Sequence, residues 1–471
     1  MFDPTTARAL DRAHALAADF LTGVADRPVA GPVDLAGLRA TLGGPLPDTG
    51  EDPARVVEML ARGADPGLVA SAGPRYFGFV TGGSYPAALG ADWLASAWDQ
   101  NAAMAVMSPA SAVVEEIVGD WLLDLLGLPA GTSVGFTTGA TMANFVALGA
   151  ARHRVLADAG WDVEGRGLPG APGPTVVIGA EAHATIQAAL GLLGLGRERV
   201  LRVDADGQGR MRPDALAETL ATVSGPLVVC AQAGNVNTGA FDPLPDIAPI
   251  VHDHGGWLHV DGAFGLWAAA APGHRHLATG FELADSWTTD SHKWLNVPYD
   301  SGIAFVRDAA AHHDAMSMGA PYYVQGAGLR DGFDWVPDSS RRARGFAVWA
   351  ALRQLGRAGL GAAIDRSCAL AARLADGLAA EPGIAILNEV VLNQVLVRFE
   401  VEGDAAAADT LTRDVIARVQ RDGTCWLGGT TWHGVAAMRV SVSGWSTTED
   451  DIDRSVAAIV RCARDGRAAL A

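Results

Sequence analysis

Short apolar runs alternate with longer stretches of helical pattern between about residue 70 and residue 345 of the chain. The runs are rich in β-branched and aromatic residues, which is typical of buried strands. The predicted strands are Ser133–Thr137, Thr175–Ile178, Val200–Val203, Leu227–Ala231, Trp257–Val260, Ser286–Thr289 and Gly302–Val306. Strands that alternate with helices predict βαβ units. The expected fold class is therefore α/β, with a mostly parallel seven-stranded sheet flanked by helices.

The two ends of the chain have different patterns. Residues 1–70 are predicted to be helical, with a Pro/Gly-rich interruption at 43–54. The predicted elements after residue 345 are a helix at Gly345–Leu355 that continues from Gly359, strands near Gln394–Phe399 and Ala437–Val442, and a terminal helix from Thr448. We therefore expect three parts, namely an N-terminal helical segment (1–70), a large domain (71–345) and a small C-terminal α+β domain (346–471).

Composition and charge narrow the class of protein. The 471 residues are 49% hydrophobic and 19% charged, and the net charge is −18. This negative charge argues against binding to nucleic acid or to an anionic membrane, because both need basic surfaces. No apolar run reaches the roughly 18 residues that span a bilayer, and the N-terminus lacks the pattern of a signal peptide. The four cysteines are far apart in sequence, which predicts reduced thiols in a cytoplasmic protein.

Lys293 is the central residue of the sequence Ser-His-Lys-Trp at 291–294. Apolar and aromatic neighbours disfavour a charged ammonium group and favour the free amine. A free amine forms a Schiff base with a carbonyl cofactor such as pyridoxal 5′-phosphate (PLP). The alternative is a half-buried lysine whose stem lies along apolar surface without a chemical role.

A turn rich in small residues follows the first predicted strand. Gly139, Ala140 and Thr141 connect this strand to a helical pattern that starts near Met142. A helix N-terminus presents free N–H groups, and small residues let a phosphate approach them closely. An ordinary strand–helix turn with a threonine cap is the alternative. The turn lacks both the Walker and the G-x-G-x-x-G pattern, so nucleotide binding is the weaker interpretation.

Two further polar residues come at predicted strand ends. Asp261 ends an apolar strand, and in open α/β sheets ligands bind at the carboxyl ends of strands. PLP needs a carboxylate against its pyridine nitrogen, although an aspartate here could also cap a helix. His183 follows another strand, where an imidazole could stack on a flat cofactor, act as acid or base, or be purely structural.

Other groups of histidines do not form a metal site in the sequence. His252 and His254 are explained by a helix C-terminus, and the pairs His274/His276 and His312/His313 lack a matching third ligand, so we expect no metal. The segment 317–340 is rich in glycine and proline and carries Tyr322 and Tyr323. Such a segment suits a lid that closes over a site, or a loop without function.

Together these residues resemble the group II PLP-dependent amino acid decarboxylases, which have the fold type I of the aspartate-aminotransferase superfamily. The resemblance covers about residues 70 to 460, with the motifs in the expected order. The stretches that carry it are 74–79, 108–110 with Glu115, 138–141, 180–185, 234–242, 261–263, 290–293 and 341–344 with Trp349. It departs from the family pattern at Gly73, where a histidine is common, and at Asp290, where an asparagine is common.

The resemblance implies roles for individual residues toward the cofactor. Lys293 would be the Schiff-base lysine, and Asp261 the partner of the pyridine nitrogen. The other residues expected around PLP are His183 stacked on the ring, Ala263 beneath it, Gly139, Ala140 and Thr141 at the phosphate, Asn237 and Thr238 beside the cofactor, and Asp290 near the phosphate.

It also implies roles in catalysis. Tyr322 would be the lid tyrosine that protonates the quinonoid intermediate, and His292 would contact substrate or phosphate. Tyr76 and Phe77 would lie in the substrate pocket. The family further implies a homodimer with its sites at the interface.

We therefore expect a carboxy-lyase that converts an L-amino acid to its amine and CO2. The aromatic residues near Tyr76 favour an aromatic or bulky substrate side chain. The alternatives are an aminotransferase, which clamps the substrate carboxylate with an arginine, and an oxidative decarboxylase that forms an aldehyde. Arg75, Arg342 and Arg439 are candidates for such a clamp. A catalytically silent PLP-binding protein is the alternative from another class.

Overall fold

A seven-stranded sheet forms the centre of the larger part of the chain in a computed structural model that describes residues 3–319 and 328–470. Its strands are β1 (Ser133–Thr137), β2 (Thr175–Gly179), β3 (Val200–Val203), β4 (Leu227–Gln232), β5 (Trp257–Asp261), β6 (Ser286–Asp290) and β7 (Gly302–Val306). All seven predicted strands are confirmed, and four of them extend one residue further than expected.

The strands follow the order β1-β7-β6-β5-β4-β2-β3. Strands β2 to β6 pair in parallel, whereas β7 is antiparallel to both of its neighbours, β1 and β6. Strands β1, β5, β6 and β7 are buried along their whole length, as expected for strands of a mostly parallel sheet that is covered on both faces. The expected α/β class is confirmed.

Helices precede, separate and follow these strands. Before and within the sheet they are α1 (Pro4–Gly23), α2 (Leu35–Leu42), α3 (Pro53–Ala64), α4 (Pro86–Trp98), α5 (Pro109–Leu126), α6 (Ala140–Asp158), α7 (Val163–Arg166), α8 (Ala184–Leu192), α9 (Pro213–Leu220), α10 (Leu244–Asp253) and α11 (Ala309–Met316). Helices α1, α3 and α5 each start at a proline after a residue (Asp3, Asp52 or Ser108) whose side chain accepts a backbone N–H. Proline at the first position and an oxygen cap before it both favour a helix start.

A long helical stretch, α12 (Gly345–Ala379), follows the sheet and is interrupted at Gly356. Gly356 has φ +60° and ψ 178°, a conformation that glycine adopts without the steric cost that a side chain imposes. The sequence predicts a break between Leu355 and Gly359, and the structure has it there.

The chain divides into two compact units. One contains Gly83–Ala372 and Leu387–Leu396, and therefore the seven-stranded sheet. The other contains the chain up to Gly82, Arg373–Ile386 and the chain from Val397 onward. The three-part division at residues 70 and 345 stays a prediction. Among the described residues, no helix combines the length and the apolar character needed to cross a bilayer.

The last elements of the chain form a four-stranded sheet with two helices. They are β8 (Ile384–Ile386), β9 (Gln394–Phe399), α13 (Ala405–Asp422), β10 (Gly428–Trp432), β11 (Val435–Ser441) and α14 (Glu449–Leu470), with strand order β10-β11-β9-β8. The predictions of β9, β11 and the terminal helix are confirmed. Strands β8 and β10 were not predicted, because one has three residues and the other begins with two glycines, which weaken a strand pattern.

A buried ion pair joins distant segments of the smaller unit. Arg75 Nη1 lies 3.0 Å from Asp451 Oδ1, and the two side chains are 4% and 10% exposed. Arg75 also donates to the carbonyl oxygens of Thr424 and Ala25, each at 2.7 Å. Its donors therefore hold together segments that are hundreds of residues apart in sequence, and removing one partner would leave a buried charge uncompensated.

Gly302 at the start of β7 determines how closely the turn after β1 can approach the sheet. A Cβ atom added at Gly302 would lie 2.4 Å from both Cα and C of Gly139. Backbone atoms cannot move aside as a flexible side chain can, so we expect Gly302→Ala to lower the free energy of unfolding by about 1–3 kcal/mol. Chemical denaturation measures this change.

Gly119→Ala is the matched control, because its added Cβ would meet Val134 at an ordinary 3.4 Å within helix α5. We expect this variant to be neutral or more stable, since alanine is the better helix former. Equal stability of the Gly302→Ala variant and the wild type would contradict the close-approach argument.

Candidate active site

The pairing register brings several strand ends to one edge of the sheet. Asp261 pairs with Gln232 of β4 and with Thr288 of β6. Gly302 at the start of β7 pairs with Asp290 at the end of β6 and with Thr137 at the end of β1. The ends of β1, β4, β5 and β6 therefore meet at the carboxyl edge of the sheet, where ligands bind in α/β proteins.

A cavity of about 290 Å³ lies at this edge. Its lining residues are Thr138, Gly139, Ala140, Thr141, Met142, His183, Thr185, Gln232, Gly234, Val236, Asp261, Ala263, Phe264, Asp290, His292 and Lys293. Nine of the predicted site residues are among them: Gly139, Ala140, Thr141, His183, Asp261, Ala263, Asp290, His292 and Lys293. The structure thus brings together residues that are up to 154 positions apart in sequence.

Lys293 points to a carboxylate in this cavity. Its Nζ lies 2.9 Å from Asp290 Oδ2, and its side chain is 21% exposed. The surroundings are therefore less apolar than the sequence suggests. The sequence also carries a stronger signal than the motif, because Lys293 is the only lysine of the chain and all other residues among its 35 Lys and Arg are arginines.

Asp290 connects the lysine to the start of helix α6. Its Oδ1 accepts the backbone N–H of Ala140 at 2.5 Å and lies 3.4 Å from His292 Nε2. The Asp290 side chain is 4% exposed. One buried carboxylate therefore faces a cation, a helix N-terminus and an imidazole at the same time.

The start of helix α6 leaves room for an anion. Gly139 precedes it in an extended conformation, and the N–H groups of Thr141 and Met142 have no intrahelical acceptor in the first turn. A Cβ atom at Gly139 would lie 3.1 Å from His292 Cε1 and 3.3 Å from Asp290 Oδ1. Glycine therefore keeps this side of the cavity open, and free N–H groups at a helix N-terminus fit a phosphate.

Asp261 is 4% exposed and faces two N–H donors. Its Oδ1 accepts the backbone N–H of Ala263 at 3.1 Å, and its Oδ2 accepts from Asn144 Nδ2 at 3.3 Å. These contacts leave other lone pairs of the carboxylate available toward the cavity. An acceptor at this position fits the protonated nitrogen of a pyridine ring.

The two histidines of the cavity are held by their Nδ1 atoms. His183 caps helix α8, and its Nδ1 accepts the backbone N–H of Thr185 at 3.3 Å. His292 Nδ1 accepts the backbone N–H of Ser301 at 3.0 Å. The neutral His292 ring therefore carries its proton on Nε2. Burial lowers the pKa of His292, and the nearby Asp290 opposes that shift.

Asn237 and Thr238 do not line this cavity, whereas Gly234 and Val236 of the same turn do. The side-chain oxygen of Asn235 accepts the backbone N–H groups of Asn237 and Thr238, which fixes the turn. The Thr238 hydroxyl donates to the Gln208 carbonyl at 2.7 Å. The Thr238 hydroxyl is therefore engaged within the protein, and the role of Asn237 and Thr238 beside the cofactor stays a prediction.

Tyr76 and Phe77 are not among the residues that line this cavity. Tyr76 and Phe77 belong to the smaller unit, where Tyr76 stacks on Trp426 with ring centroids 5.1 Å apart and Phe77 is fully buried. Tyr322 lies outside the described residues. Sequence reasoning missed Asn144, although an asparagine in the alanine-rich pattern of α6 is itself a signal of a buried polar contact.

Comparison with known proteins identifies the family. The chain matches the pyridoxal-dependent decarboxylase conserved domain over residues 38–401. It is 26% identical to the aromatic-L-amino-acid decarboxylase of Bacillus atrophaeus, covering 92% of this chain and 90% of the relative. It is 31% identical to the L-2,4-diaminobutyrate decarboxylase of Rhizobium meliloti (strain 1021), covering 80% and 75%.

The fold has close structural neighbours. The crystal structure of Oryza sativa TDC with PLP and tryptamine superposes with a TM-score of 0.91 at 24% identity and covers 99% of both chains. This likeness shows fold type I, as expected from the sequence. The matched domain and the lysine, carboxylates and helix N-terminus of the cavity agree with one another, and the chain therefore belongs to the pyridoxal-dependent decarboxylase family, as a PLP-dependent carboxy-lyase that acts on amino acids.

Proposed function

We propose that the protein converts an L-amino acid with an aromatic or bulky side chain to the corresponding amine and CO2. The observation that carries this proposal is the single cavity that holds Lys293, Asp290, Asp261 and the start of helix α6. Bound PLP supplies an aldehyde that condenses with amines and a ring that withdraws electrons from the Cα of an attached amino acid.

Different residues of the cavity are suited to different parts of the cofactor. Lys293 offers the only side-chain amine of the chain. The N–H groups at the start of α6 and the Thr141 hydroxyl would bind the phosphate, and Asp261 would accept from the pyridine nitrogen. His183 would stack on the ring, and Ala263 would leave space for it. Asn237 and Thr238 belong to a turn that would form part of the wall of the site beside the cofactor.

His292 and Tyr322 act on the substrate. With its Nδ1 committed to Ser301, His292 presents Nε2–H near Asp290 and Lys293, where it can donate to a substrate carboxylate or to the phosphate. Tyr322 donates a proton to Cα after CO2 leaves. This role rests on the family resemblance alone.

The distribution of arginines favours loss of CO2 over transamination. Within residues 3–319 and 328–470, no arginine lines the cavity. Arg75 is engaged by Asp451, and Arg342 by Asp92 at 2.7 Å. Arg439, the third candidate, is not among the residues that line the cavity. An aminotransferase typically clamps the substrate carboxylate with an arginine, whereas decarboxylation is favoured when the carboxylate is weakly held in the ground state.

The aromatic preference is supported by the segment around Tyr76. Tyr76 and Phe79 both contact Trp426, with ring centroids 5.1 and 5.5 Å apart. Phe79 is 62% exposed with φ +54°, so its ring is presented to solvent by a backbone conformation that is unusual for a bulky residue. We propose that Tyr76 and Phe77 shape the substrate side-chain pocket, as the resemblance implies.

We also propose that the protein is a cytoplasmic homodimer. Helix α4 exposes large apolar side chains, since Trp93, Leu94 and Trp98 are 41%, 48% and 50% exposed. Such a group of apolar side chains on one helix is typical of a surface that another chain covers.

The reaction itself is tested by CO2 release from a panel of amino acids, with the amine measured alongside. We expect aromatic amino acids to be converted and Lys293→Ala to lower kcat by at least about a thousandfold. Borohydride reduction of the PLP-loaded wild type should leave one pyridoxyl group, on the peptide that contains Lys293, and none in the variant. A keto acid without CO2 would contradict the decarboxylase assignment.

A second prediction concerns Tyr322. Without its proton donor, the electron-rich centre left after CO2 departs is exposed to O2, and the products become aldehyde, ammonia and hydrogen peroxide, with O2 and water consumed. We expect Tyr322→Phe to yield aldehyde and peroxide in place of most of the amine, and Tyr323→Phe, its matched neighbour, to retain amine formation. An unchanged yield of amine in Tyr322→Phe would contradict the proposal that Tyr322 is the proton donor.

A third prediction concerns substrate preference. Tyr76→Leu removes the ring that we propose contacts the substrate side chain. Because an aromatic pair contributes about 0.5–1.5 kcal/mol, KM for aromatic substrates should rise about two- to tenfold. Tyr76→Phe keeps the ring and should keep the preference. Trp432→Leu removes a ring stacked on His433 in the same unit and serves as the control. A KM increase that is equal for aromatic and small amino acids would contradict a pocket at Tyr76.

A further inference from the structure

A continuous chain of buried polar side chains leads away from Asp261 into the protein. Strand β5 places Trp257, His259 and Asp261 on the same side, because they are two residues apart along a strand. Asn144 of helix α6 and Ser286 of strand β6 fill the gaps between them. His259, Asn144 and Ser286 are each 0% exposed.

The hydrogen bonds that link these buried side chains are short. Trp257 Nε1 lies 2.8 Å from Ser286 Oγ, which lies 2.9 Å from His259 Nδ1. His259 Nε2 lies 3.0 Å from Asn144 Oδ1, and Asn144 Nδ2 lies 3.3 Å from Asp261 Oδ2. The chain therefore runs without interruption from an indole N–H to the carboxylate of the active site.

The Asp261 end of this series of hydrogen bonds determines which group donates in each of them. An ionised Asp261 only accepts, so the amide nitrogen of Asn144 must face it and the amide oxygen must face His259. His259 Nε2 must then carry the proton, which leaves Nδ1 as an acceptor for the Ser286 hydroxyl. Ser286 has no further proton to give, so its remaining neighbour must be a donor.

The tryptophan end is compatible with this direction. The indole of Trp257 can only donate, and it donates to Ser286. Burial lowers the pKa of His259 to about 3, so a neutral imidazole with one proton agrees with this pattern. The Thr288 hydroxyl donates to Asn144 Oδ1 at 2.7 Å and further opposes rotation of the amide.

We propose that His259 and Asn144 are positioning residues that hold the Asp261 carboxylate, as an acceptor, toward the pyridine nitrogen of the cofactor. This inference rests on the cofactor role of Asp261 in the proposed function. Asp261 receives one N–H from its own turn at Ala263 and the second from Asn144. Only the second depends on His259, which supplies the proton that orients Asn144.

Two His259 variants separate hydrogen bonding from volume. His259→Gln keeps an N–H donor near the position of Nε2, whereas His259→Phe keeps a ring and removes the donor. His312→Phe is the matched control, because His312 is also 0% exposed but hydrogen-bonds Ser133 and the Trp335 carbonyl, each at 2.8 Å. Neither of these contacts belongs to the chain behind Asp261.

The first measurement is the ¹⁵N NMR shift of bound ¹⁵N-labelled PLP against pH, which reports whether the pyridine nitrogen is protonated. We expect the apparent pKa of that nitrogen to fall by about one unit in His259→Phe, to recover largely in His259→Gln, and to stay unchanged in His312→Phe. A pKa change of one unit corresponds to about a tenfold change in binding of the protonated cofactor, so the PLP dissociation constant should rise by up to about tenfold in His259→Phe.

The second measurement needs no cofactor. ¹⁵N-histidine NMR of the protein without PLP should show His259, identified by its loss in His259→Gln, as a neutral ring with its proton on Nε2 between about pH 6 and pH 8. If His259→Phe does not fold, Ser286→Ala serves instead, because it removes the acceptor of Trp257 and the donor to Nδ1. It should lower the fraction of His259 that carries its proton on Nε2. It should also lower the apparent pKa of the pyridine nitrogen, by less than His259→Phe does.

Three results would overturn the proposal. The first is a neutral His259 that carries its proton on Nδ1. The second is an apparent pKa of the pyridine nitrogen that is unchanged in both His259→Phe and Ser286→Ala. The third is a change of that pKa in His312→Phe as large as in His259→Phe. Failure of the proposed function has a different signature. If no amino acid releases CO2 while the pyridine shift responds as expected, the chain still positions Asp261 and only the reaction is misassigned.

Discussion

The approach of the turn after β1 to the start of β7 is the constraint on which the site depends. Gly302 lies against the backbone of Gly139 and pairs with both Thr137 and Asp290. Because β7 is antiparallel, its first residue reaches the carboxyl ends of both neighbouring strands. This places the start of helix α6 within hydrogen-bond distance of Asp290, and Asp290 in turn holds Lys293.

The two carboxylates of the cavity have different electrostatic surroundings. Asp290 faces a lysine ammonium group and a helix N-terminus, both of which favour negative charge directly. The donors to Asp261 within residues 3–319 and 328–470 are neutral N–H groups, from Ala263 and Asn144. Its charge therefore stays available for a cation brought by a ligand. Neighbouring groups alone therefore give two acidic groups in one cavity different electrostatic environments.

The sequence predicts this site as far as local patterns reach. Apolar β-prone runs identify β1 to β7, and the polar residues at their ends identify Asp261, Asp290 and Lys293. Contacts that depend on strand register and side-chain direction cannot be predicted from these local patterns. Asn144 meets Asp261 because α6 packs against β5, and Asn235 fixes the backbone at Thr238 through hydrogen bonds within its own turn. Strands as short as β8 give too few residues for a pattern.

The basic residues of the chain give the most direct link from composition to chemistry. Arginine and lysine both bind anions, but a guanidinium stays protonated and does not condense with aldehydes, whereas an amine does. Lys293 is the only lysine in 471 residues, and it lies in the cavity between Asp290 and the start of α6. Every other charged contact of the fold that needs a side-chain cation uses arginine or histidine. A single side-chain amine means that an aldehyde cofactor has one lysine on which to be held, and the fold places that lysine beside the groups that fit the cofactor's phosphate and ring.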